Sequence, residues 1–324
     1  RPKISLSAGS RKTMVAAEKA VRLARLGFRV LLTCFNKPLA ADLIRRLRPP
    51  PNLHIQHFHG LCSELATQAD IRLDHAAKDY FQRLLPEALM DASDKLRVRY
   101  DAIVVDEGQD FRSEWWIALQ SLLNDPEGGI FYIFYDDNQR IYGKGGEFPI
   151  QQPPYPLTVN CRNTQAIHRQ VLRFYEGESL PTVLGPSGRP VEIIEFENDR
   201  FTRTLQDTLH RLTYNDHIPT DEIVLLTPLS LPKSQLVDTV IKGTRLAFTW
   251  PPEPNQFYFA TIHAFKGLES AVVVLIEADR WRAEEIDLES ILYVACSRAR
   301  HHLIVLLPKN APVEVRNHFS PISD

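Results

Sequence analysis

Apolar and polar positions along this chain fall into two alternating regimes. Short apolar runs recur at residues 3–7, 30–34, 55–58, 102–105 and 130–134, and again at 191–196, 223–227, 257–262, 271–276 and 302–307. Runs of this length without a polar face predict buried strands. Helical spacing occupies 13–26, 42–47, 113–123, 164–175, 200–212 and 286–296. Gly27 and the run Pro49-Pro50-Pro51 mark where the first two of these helices stop. Strands alternating with helices predict parallel sheets and an α/β class. Residues 61–98 break the alternation: Leu61, Leu65, Tyr80, Leu84, Leu85 and Leu89 repeat at helical spacing with no strong strand, which predicts a small helical insertion. The Pro-rich piece 151–156 is the predicted linker, dividing a first domain at 1–152 from a second at 153–324.

Bulk properties agree with this division. A length of 324 residues leaves room for about two domains. A hydrophobic content of 44% with 24% charged residues is ordinary for a soluble globular protein. The formal net charge of −2 excludes a uniformly basic nucleic-acid binder, so any nucleic-acid site has to be a local groove. Cys34, Cys62, Cys161 and Cys296 lie far apart and form no CxxC pair, which implies neither a disulfide framework nor a cysteine metal site and fits a cytoplasmic location. No apolar run reaches membrane-spanning length, and no signal peptide is visible. The chain opens at Arg1 directly into a strand, and a longer parent protein is expected.

The candidate chemistry sits at the ends of predicted strands. Asp106 and Glu107 follow the run 102–105, which places two carboxylates at the carboxyl edge of a sheet, where α/β proteins bind ligands. One such carboxylate can hold Mg²⁺ while its neighbour polarises a water, the pairing that phosphoryl transfer from a nucleotide requires. Between the first strand and its helix lies Ser7-Ala8-Gly9-Ser10-Arg11-Lys12-Thr13. It follows the phosphate-loop pattern GxxxxGK[ST] except that Leu6 and Arg11 stand where glycine is expected. In that pattern Lys12 reaches the β- and γ-phosphates, Thr13 and Asp106 ligate Mg²⁺, and the backbone of Gly9, Ser10 and Arg11 cradles phosphate.

Further segments keep the same order. Residues 135–142 read Tyr-Asp-Asp-Asn-Gln-Arg-Ile-Tyr, 157–162 Leu-Thr-Val-Asn-Cys-Arg, 261–269 Thr-Ile-His-Ala-Phe-Lys-Gly-Leu-Glu, and 292–300 Leu-Tyr-Val-Ala-Cys-Ser-Arg-Ala-Arg. Together with the phosphate loop and the Asp-Glu pair, this series resembles motifs I to VI of the superfamily 1 helicases of the UvrD/Rep/PcrA type, across nearly the whole chain. The resemblance implies two RecA-like parallel-sheet domains with the P-loop NTPase fold and ATP hydrolysis in the cleft between them. The span 163–260 holds predicted strands and helices, so a compact form without the large second-domain insert is implied.

By resemblance, Glu107 is the general base and Gln139 senses the γ-phosphate. Arg162 and Arg298 approach that phosphate from the second domain, and Glu269 contacts the ribose. Phe35, Asn36, Phe58, His59, Thr261, His263 and Lys266 match positions that hold single-stranded DNA, with RNA not excluded, and Tyr142 and Trp250 are further stacking candidates. Trp115 and Trp116 are expected to pack the helix after Asp106-Glu107. Cys161 departs from the family, which has an aromatic there, and the upstream glutamine that reads adenine lies outside the sequence. A nuclease domain or subunit is a further partner the resemblance suggests. Two readings stay open: an ATP-driven translocase or helicase, and a nucleotide-degenerate scaffold in a nuclease or defence complex. Leu6, Arg11 and Cys161 favour the second; Lys12, Thr13, Asp106, Glu107, Gln139, Arg162 and Arg298 favour the first.

Overall fold

The apolar runs of the first half become one sheet in the computed structural model, which describes residues 3–6, 11–139, 141, 147–177, 180–237, 243, 245–281 and 287–320. The chain divides into two compact units, Arg1–Thr158 and Val159–Asp324. In the first, β1 (Lys3–Leu6), β2 (Val30–Cys34), β3 (Leu53–His57), β4 (Ala102–Val105), β5 (Ile130–Tyr135) and β6 (Tyr155–Leu157) are ordered β3-β2-β4-β5-β1-β6. Every pairing is parallel. All residues of β2 and β4 are buried, which is why these strands read as unbroken apolar runs.

Parallel pairing forces a crossover after each strand. α1 (Lys12–Arg25) follows β1, α2 (Lys37–Leu47) follows β2 and α5 (Ser113–Ser121) follows β4. α1 packs through small residues, Ala16, Ala17, Ala20 and Ala24, and its last turn carries Arg22 and Arg25, which complement the negative end of the helix dipole. Because β5 lies between β4 and β1, the carboxyl ends of these three strands fall side by side on one edge.

Two boundaries differ from expectation for visible reasons. The predicted strand 55–58 ends at His57, and Phe58 instead opens α3 (Phe58–Gln68). Phe58, Leu61, Cys62 and Leu65 are all buried, so the apolar residue at 58 belongs to a helical stripe and not to the strand. After α3 the chain reaches a π-helical turn, Tyr80–Leu84, that runs into α4 (Leu85–Leu96). The predicted linker 151–156 is the second correction. Its Tyr155 and Pro156 enter β6 and pair with β1, a position open to proline because β6 is an edge strand.

The second unit starts with β7 (Val159–Asn160), α6 (Gln165–Leu172) and β8 (Thr182–Val183), β7 and β8 forming a two-stranded ladder. Its main sheet comprises β9 (Glu192–Phe196), β10 (Ile223–Thr227), β11 (Leu246–Ala247), β12 (Phe257–Thr261), β13 (Ser270–Leu275) and β14 (Ala299–Pro308), ordered β11-β12-β10-β13-β14-β9. These pairings too are all parallel. α7 (Phe201–His210), α8 (Leu288–Ser297) and α9 (Val313–Phe319) complete it. The core joins Phe201, Leu205 and Leu209 of α7 to Leu225, Phe259, Val274 and Ile304 of the sheet. Each such fully buried side chain stabilises by about 1.5–3 kcal/mol relative to exposure. Among the described residues, no helix is long and apolar enough to cross a membrane.

Candidate functional site

The carboxyl ends of β1, β4 and β5 bring together side chains that are far apart in sequence. Lys12 starts α1, and its Nζ lies 3.4 Å from Glu107 Oε2 and 3.5 Å from Asp136 Oδ2. All three side chains are buried. Gln109 bridges the two acids: its Nε2 donates to Glu107 Oε2 at 2.5 Å, and its Oε1 accepts from the Asp136 backbone N–H at 3.0 Å. Gln139 Nε2 donates to Asp136 Oδ2 at 2.6 Å. Asp106 Oδ1 accepts from the Glu107 N–H at 3.0 Å, and the Thr13 hydroxyl favours the charged form of Asp106. Glu107 itself sits at φ 56, left-handed backbone that a side chain rarely adopts, and such strain clusters where geometry serves chemistry. Gly108 lets β5 close in beneath it, since a Cβ there would stand 2.5 Å from Ile133 Cγ2.

The electrostatics of this edge are unbalanced. Burial and then the Glu107 charge push Asp106 up, against weaker help from Thr13 and Lys12. Burial likewise raises Asp136, with Lys12 opposing it. Asp106, Glu107 and Asp136 are three buried carboxylates around one ammonium, an arrangement that favours a bound cation. Asp106 Oδ2 is buried with no hydrogen-bond partner, so an acceptor is left over. Among the described residues no group of three or more His, Cys, Asp and Glu could cage a metal. One carboxylate and one hydroxyl nevertheless fit Mg²⁺, which binds through few protein oxygens and lets phosphates and water complete its shell.

Arg11, beside this edge, caps α1 at φ 56 and ψ 35 with its side chain exposed. The left-handed backbone is the physical reason the phosphate-loop pattern has glycine here. Gly9 and Ser10 lie outside the described residues, and Leu6 ends β1. Replacing arginine by glycine removes an αL penalty of about 1 kcal/mol. Arg11→Gly is therefore expected to raise the thermal unfolding midpoint and tighten ATP binding, both measurable on the purified chain. A weaker affinity in the variant would make Arg11 a phosphate ligand.

In the second unit the acid Glu269 gathers arginines. Arg162 follows β7, and its loop is fixed by Asn160, whose Oδ1 accepts from the backbone N–H of Arg162 and Asn163 at 3.0 and 3.1 Å. Asn163 Nδ2 in turn donates to the Ser297 and Ala299 carbonyls at 3.2 and 2.6 Å. Arg162 Nε stands 2.5 Å from Glu269 Oε2, an ion pair. Burial alone would raise Glu269; Arg162, Arg300 and Arg298 outweigh it and hold the carboxyl below its ordinary value.

Arg298 departs from the expected outward reach. It is 1% exposed and donates from Nε to Val294 O, from one terminal nitrogen to Leu268 O and from the other to Ser297 Oγ, at 3.1, 3.3 and 2.9 Å. The guanidinium thus closes the end of α8, where helix carbonyls need donors.

Burial also corrects part of the expected nucleic-acid surface. Phe58 is 0% exposed and stacks on Trp115 with ring centroids 5.0 Å apart. Half-buried Phe35 lies nearly parallel to Trp115 on another side, at 5.8 Å and 10°. His59 accepts this cluster edge-on and contacts Phe81 O through Nε2 at 3.0 Å; burial lowers its pKa to about 4, so the ring is neutral at pH 7. Asn36 is buried, and Lys266 is 1% exposed because the turn after β12 folds it inward. Gly267 makes that turn possible at φ 82. Thr261 and His263 stay half-buried at the carboxyl edge of β12. Trp250 rests against Tyr258 and Phe265 at 5.1 and 5.3 Å, and Tyr142 lies outside the described residues.

Several site residues had no individual role in the sequence reading. Asp136 and Gln109 stand inside recognised segments, but only the fold shows that they join β4 to β5. Phe81 is 59% exposed next to His59, ring centroids 5.3 Å apart. Its signal in the sequence is an aromatic out of phase with the buried stripe Tyr80, Leu85 and Leu89. Arg300 is separated from Arg298 by a single residue and carries no pattern of its own.

Comparison with known proteins bears on this geometry. Residues 256–306, from β12 through most of β14, match the family model of the UvrD-like helicase C-terminal domain. In structure the chain is similar to a protein described as the PRRSV helicase, with 13% identity and a TM-score of 0.51 over 95% of this chain and 52% of that one. It is also similar to arterivirus nonstructural protein 10, a helicase, with 14% identity and a TM-score of 0.46 over 98% of this chain and 61% of that one. The chain thus spans 52% and 61% of the length of these two relatives. A search of curated proteins gives no match. The likeness to the first structure is one of fold, consistent with two parallel-sheet units of the RecA-like kind.

Proposed function

We propose that this chain is an ATP-dependent translocase or helicase acting on single-stranded DNA, a superfamily 1 enzyme of the UvrD/Rep/PcrA type. The observation that carries the reading is the buried set Lys12, Asp106 and Glu107 at one strand edge, beside half-buried Thr13, with Asp106 Oδ2 left without a partner. Lys12 would leave the carboxylates of Glu107 and Asp136 for the β- and γ-phosphates of ATP. Thr13 and Asp106 would hold Mg²⁺, which when bound screens the phosphate charge. Glu107 would orient the attacking water and accept its proton. Gln139, one hydrogen bond from Asp136 and so one contact further from Lys12, would report whether the γ-phosphate is present. Arg162 would stabilise charge on the transferring phosphoryl, a role Arg298 shares by motif position but could take only by giving up its contacts to Val294, Leu268 and Ser297, and Glu269 would meet the ribose.

For the strand, Thr261, His263, Phe35, His59 and the exposed ring of Phe81 are the proposed contacts, hydroxyl and imidazole to phosphate and aromatic face to base. The scaffold reading keeps one specific observation in its favour, the burial of Arg298 away from an outward role.

Steady-state phosphate release decides between the two readings. ATP turnover is expected to rise on adding single-stranded DNA, to do so alike for mixed oligonucleotides of different sequence, and to lose that stimulation as salt displaces the strand. No turnover with or without DNA, while DNA still binds, would select the scaffold. A strong preference for one short duplex would contradict both.

A further inference from the structure

One face of the edge strand in the second unit is left open. β9 ends its sheet, and successive residues of a strand turn to opposite faces. Ile194 and Phe196 turn to the core built on α7. Val191, Ile193 and Glu195 turn the other way, and with Leu307 of β14 they floor an open cavity of about 950 Å³. Val191 and Ile193 stay half-buried there. A parallel sheet is normally covered by helices on both faces, so this apolar strip is a seat for one more.

Two helices wall the groove, each with a single face. Ala166, Arg169, Gln170 and Arg173 line it from α6. Val313, Arg316, Asn317 and the capping Ser320 line it from α9. Both sets follow the i, i+3, i+4, i+7 spacing of one helical stripe. The walls are pinned at their ends. Gln170 Nε2 donates to His318 O at 2.8 Å, and the two terminal nitrogens of Arg173 donate to Ser320 O and Asn317 O at 2.6 Å each. The groove is therefore preformed. Its charge is one-sided: Arg169, Arg173 and Arg316 stand against one carboxylate, Glu195, in a chain whose formal net charge is −2. Arg169 is exposed and, among the described residues, makes no hydrogen bond or ion pair. Val313 is 61% exposed.

We infer that this groove docks an acidic amphipathic helix of a partner protein, its apolar side on Val191, Ile193, Leu307 and Val313 and its Asp or Glu side chains against Arg169 and Arg316. Guanidinium and carboxylate match in charge and in planar geometry. The cavity lies on the face of the sheet, whereas the backbone edge of β9 points along it. Recognition therefore runs through side chains, as when a helix lies in a groove, and not through strand addition. None of these residues belongs to the proposed phosphate or nucleic-acid contacts, so the inference does not rest on the ATP reading.

The test selects a random-peptide display library on the purified chain and titrates the selected peptides, fluorescently labelled, into wild type, Arg169→Glu and Val313→Asp. The selected sequences are expected to carry apolar residues at helical spacing with Asp and Glu between them, and each substitution is expected to weaken binding about tenfold. Hydrogen exchange of the wild-type chain is expected to slow in α6 and α9 when a selected peptide is bound. Peptides that are basic, that bind both variants as tightly as wild type, or that leave exchange in α6 and α9 unchanged overturn the inference. So does a library that yields no binder, because a preformed groove needs no further component. Alternating apolar sequences that slow exchange in β9 alone would replace the helix by an added strand and overturn it as well. The exchange measurement uses no variant, so it decides even where a substitution unfolds the chain.

Discussion

Glu107→Gln is expected to lower ATP turnover by about two orders of magnitude or more while nucleotide still binds. The side chain lies between two donors, Lys12 Nζ and Gln109 Nε2, both on Oε2. An amide of the same shape can turn its oxygen to that position and keep both contacts, so the edge stays assembled. What it cannot do is take a proton from water. The substitution also removes one of three crowded carboxylates, and burial together with the Glu107 charge is what lifts Asp106. The variant should therefore be no less stable than wild type, which separates a chemical defect from a folding one. Single-turnover hydrolysis, nucleotide titration and thermal unfolding on the same preparation make the comparison. Unchanged turnover would move the base elsewhere on the edge, Asp136 being the nearest alternative.

Arg298→Ala is expected to act first on folding. Removing the guanidinium takes a donor from the Leu268 carbonyl, leaves the Val294 carbonyl and the Ser297 hydroxyl with only their bond to each other among these contacts, and opens a cavity at the end of α8. The cost is about 3 kcal/mol or more, a large share of a domain's stability. Arg298→Lys should recover little, because a single ammonium cannot reproduce donors held in a planar fork. Denaturant unfolding gives the loss, and hydrogen exchange should place it in β13, α8 and the start of β14. Turnover should fall in step with the folded fraction. A variant of native stability whose turnover is abolished would return Arg298 to a direct role at the phosphate.

These expectations differ in how far the chain's own order could support them. Strands at 30–34, 102–105, 130–134, 223–227 and 271–276 were legible because a strand covered on both faces must be apolar at every position, and the neighbouring helices because their spacing is equally local. The same locality placed Lys12 and Thr13 after one strand and Asp106 and Glu107 after another. It also suggested that Arg11 stands at a glycine position, which its φ of 56 explains.

Tertiary structure decided what those residues touch. Lys12 and Glu107 lie 95 positions apart and meet because β5 is inserted between β1 and β4, an order no local pattern encodes. The Pro-rich 151–156 became the start of an edge strand because β1 offered it a free side. Phe58 and Lys266 have the residue types of a nucleic-acid surface, yet packing against Trp115 and the turn after β12 bury them. Arg298 and Arg300 differ by two positions in sequence, yet Arg298 donates to the Val294 and Leu268 carbonyls and the Ser297 hydroxyl while Arg300 Nε is buried without a partner. Periodicity records whether a position faces a core, because hydrophobic burial acts on each residue in turn. The satisfaction of a buried charge depends on partners brought from distant parts of the chain, and only the folded chain supplies or withholds them.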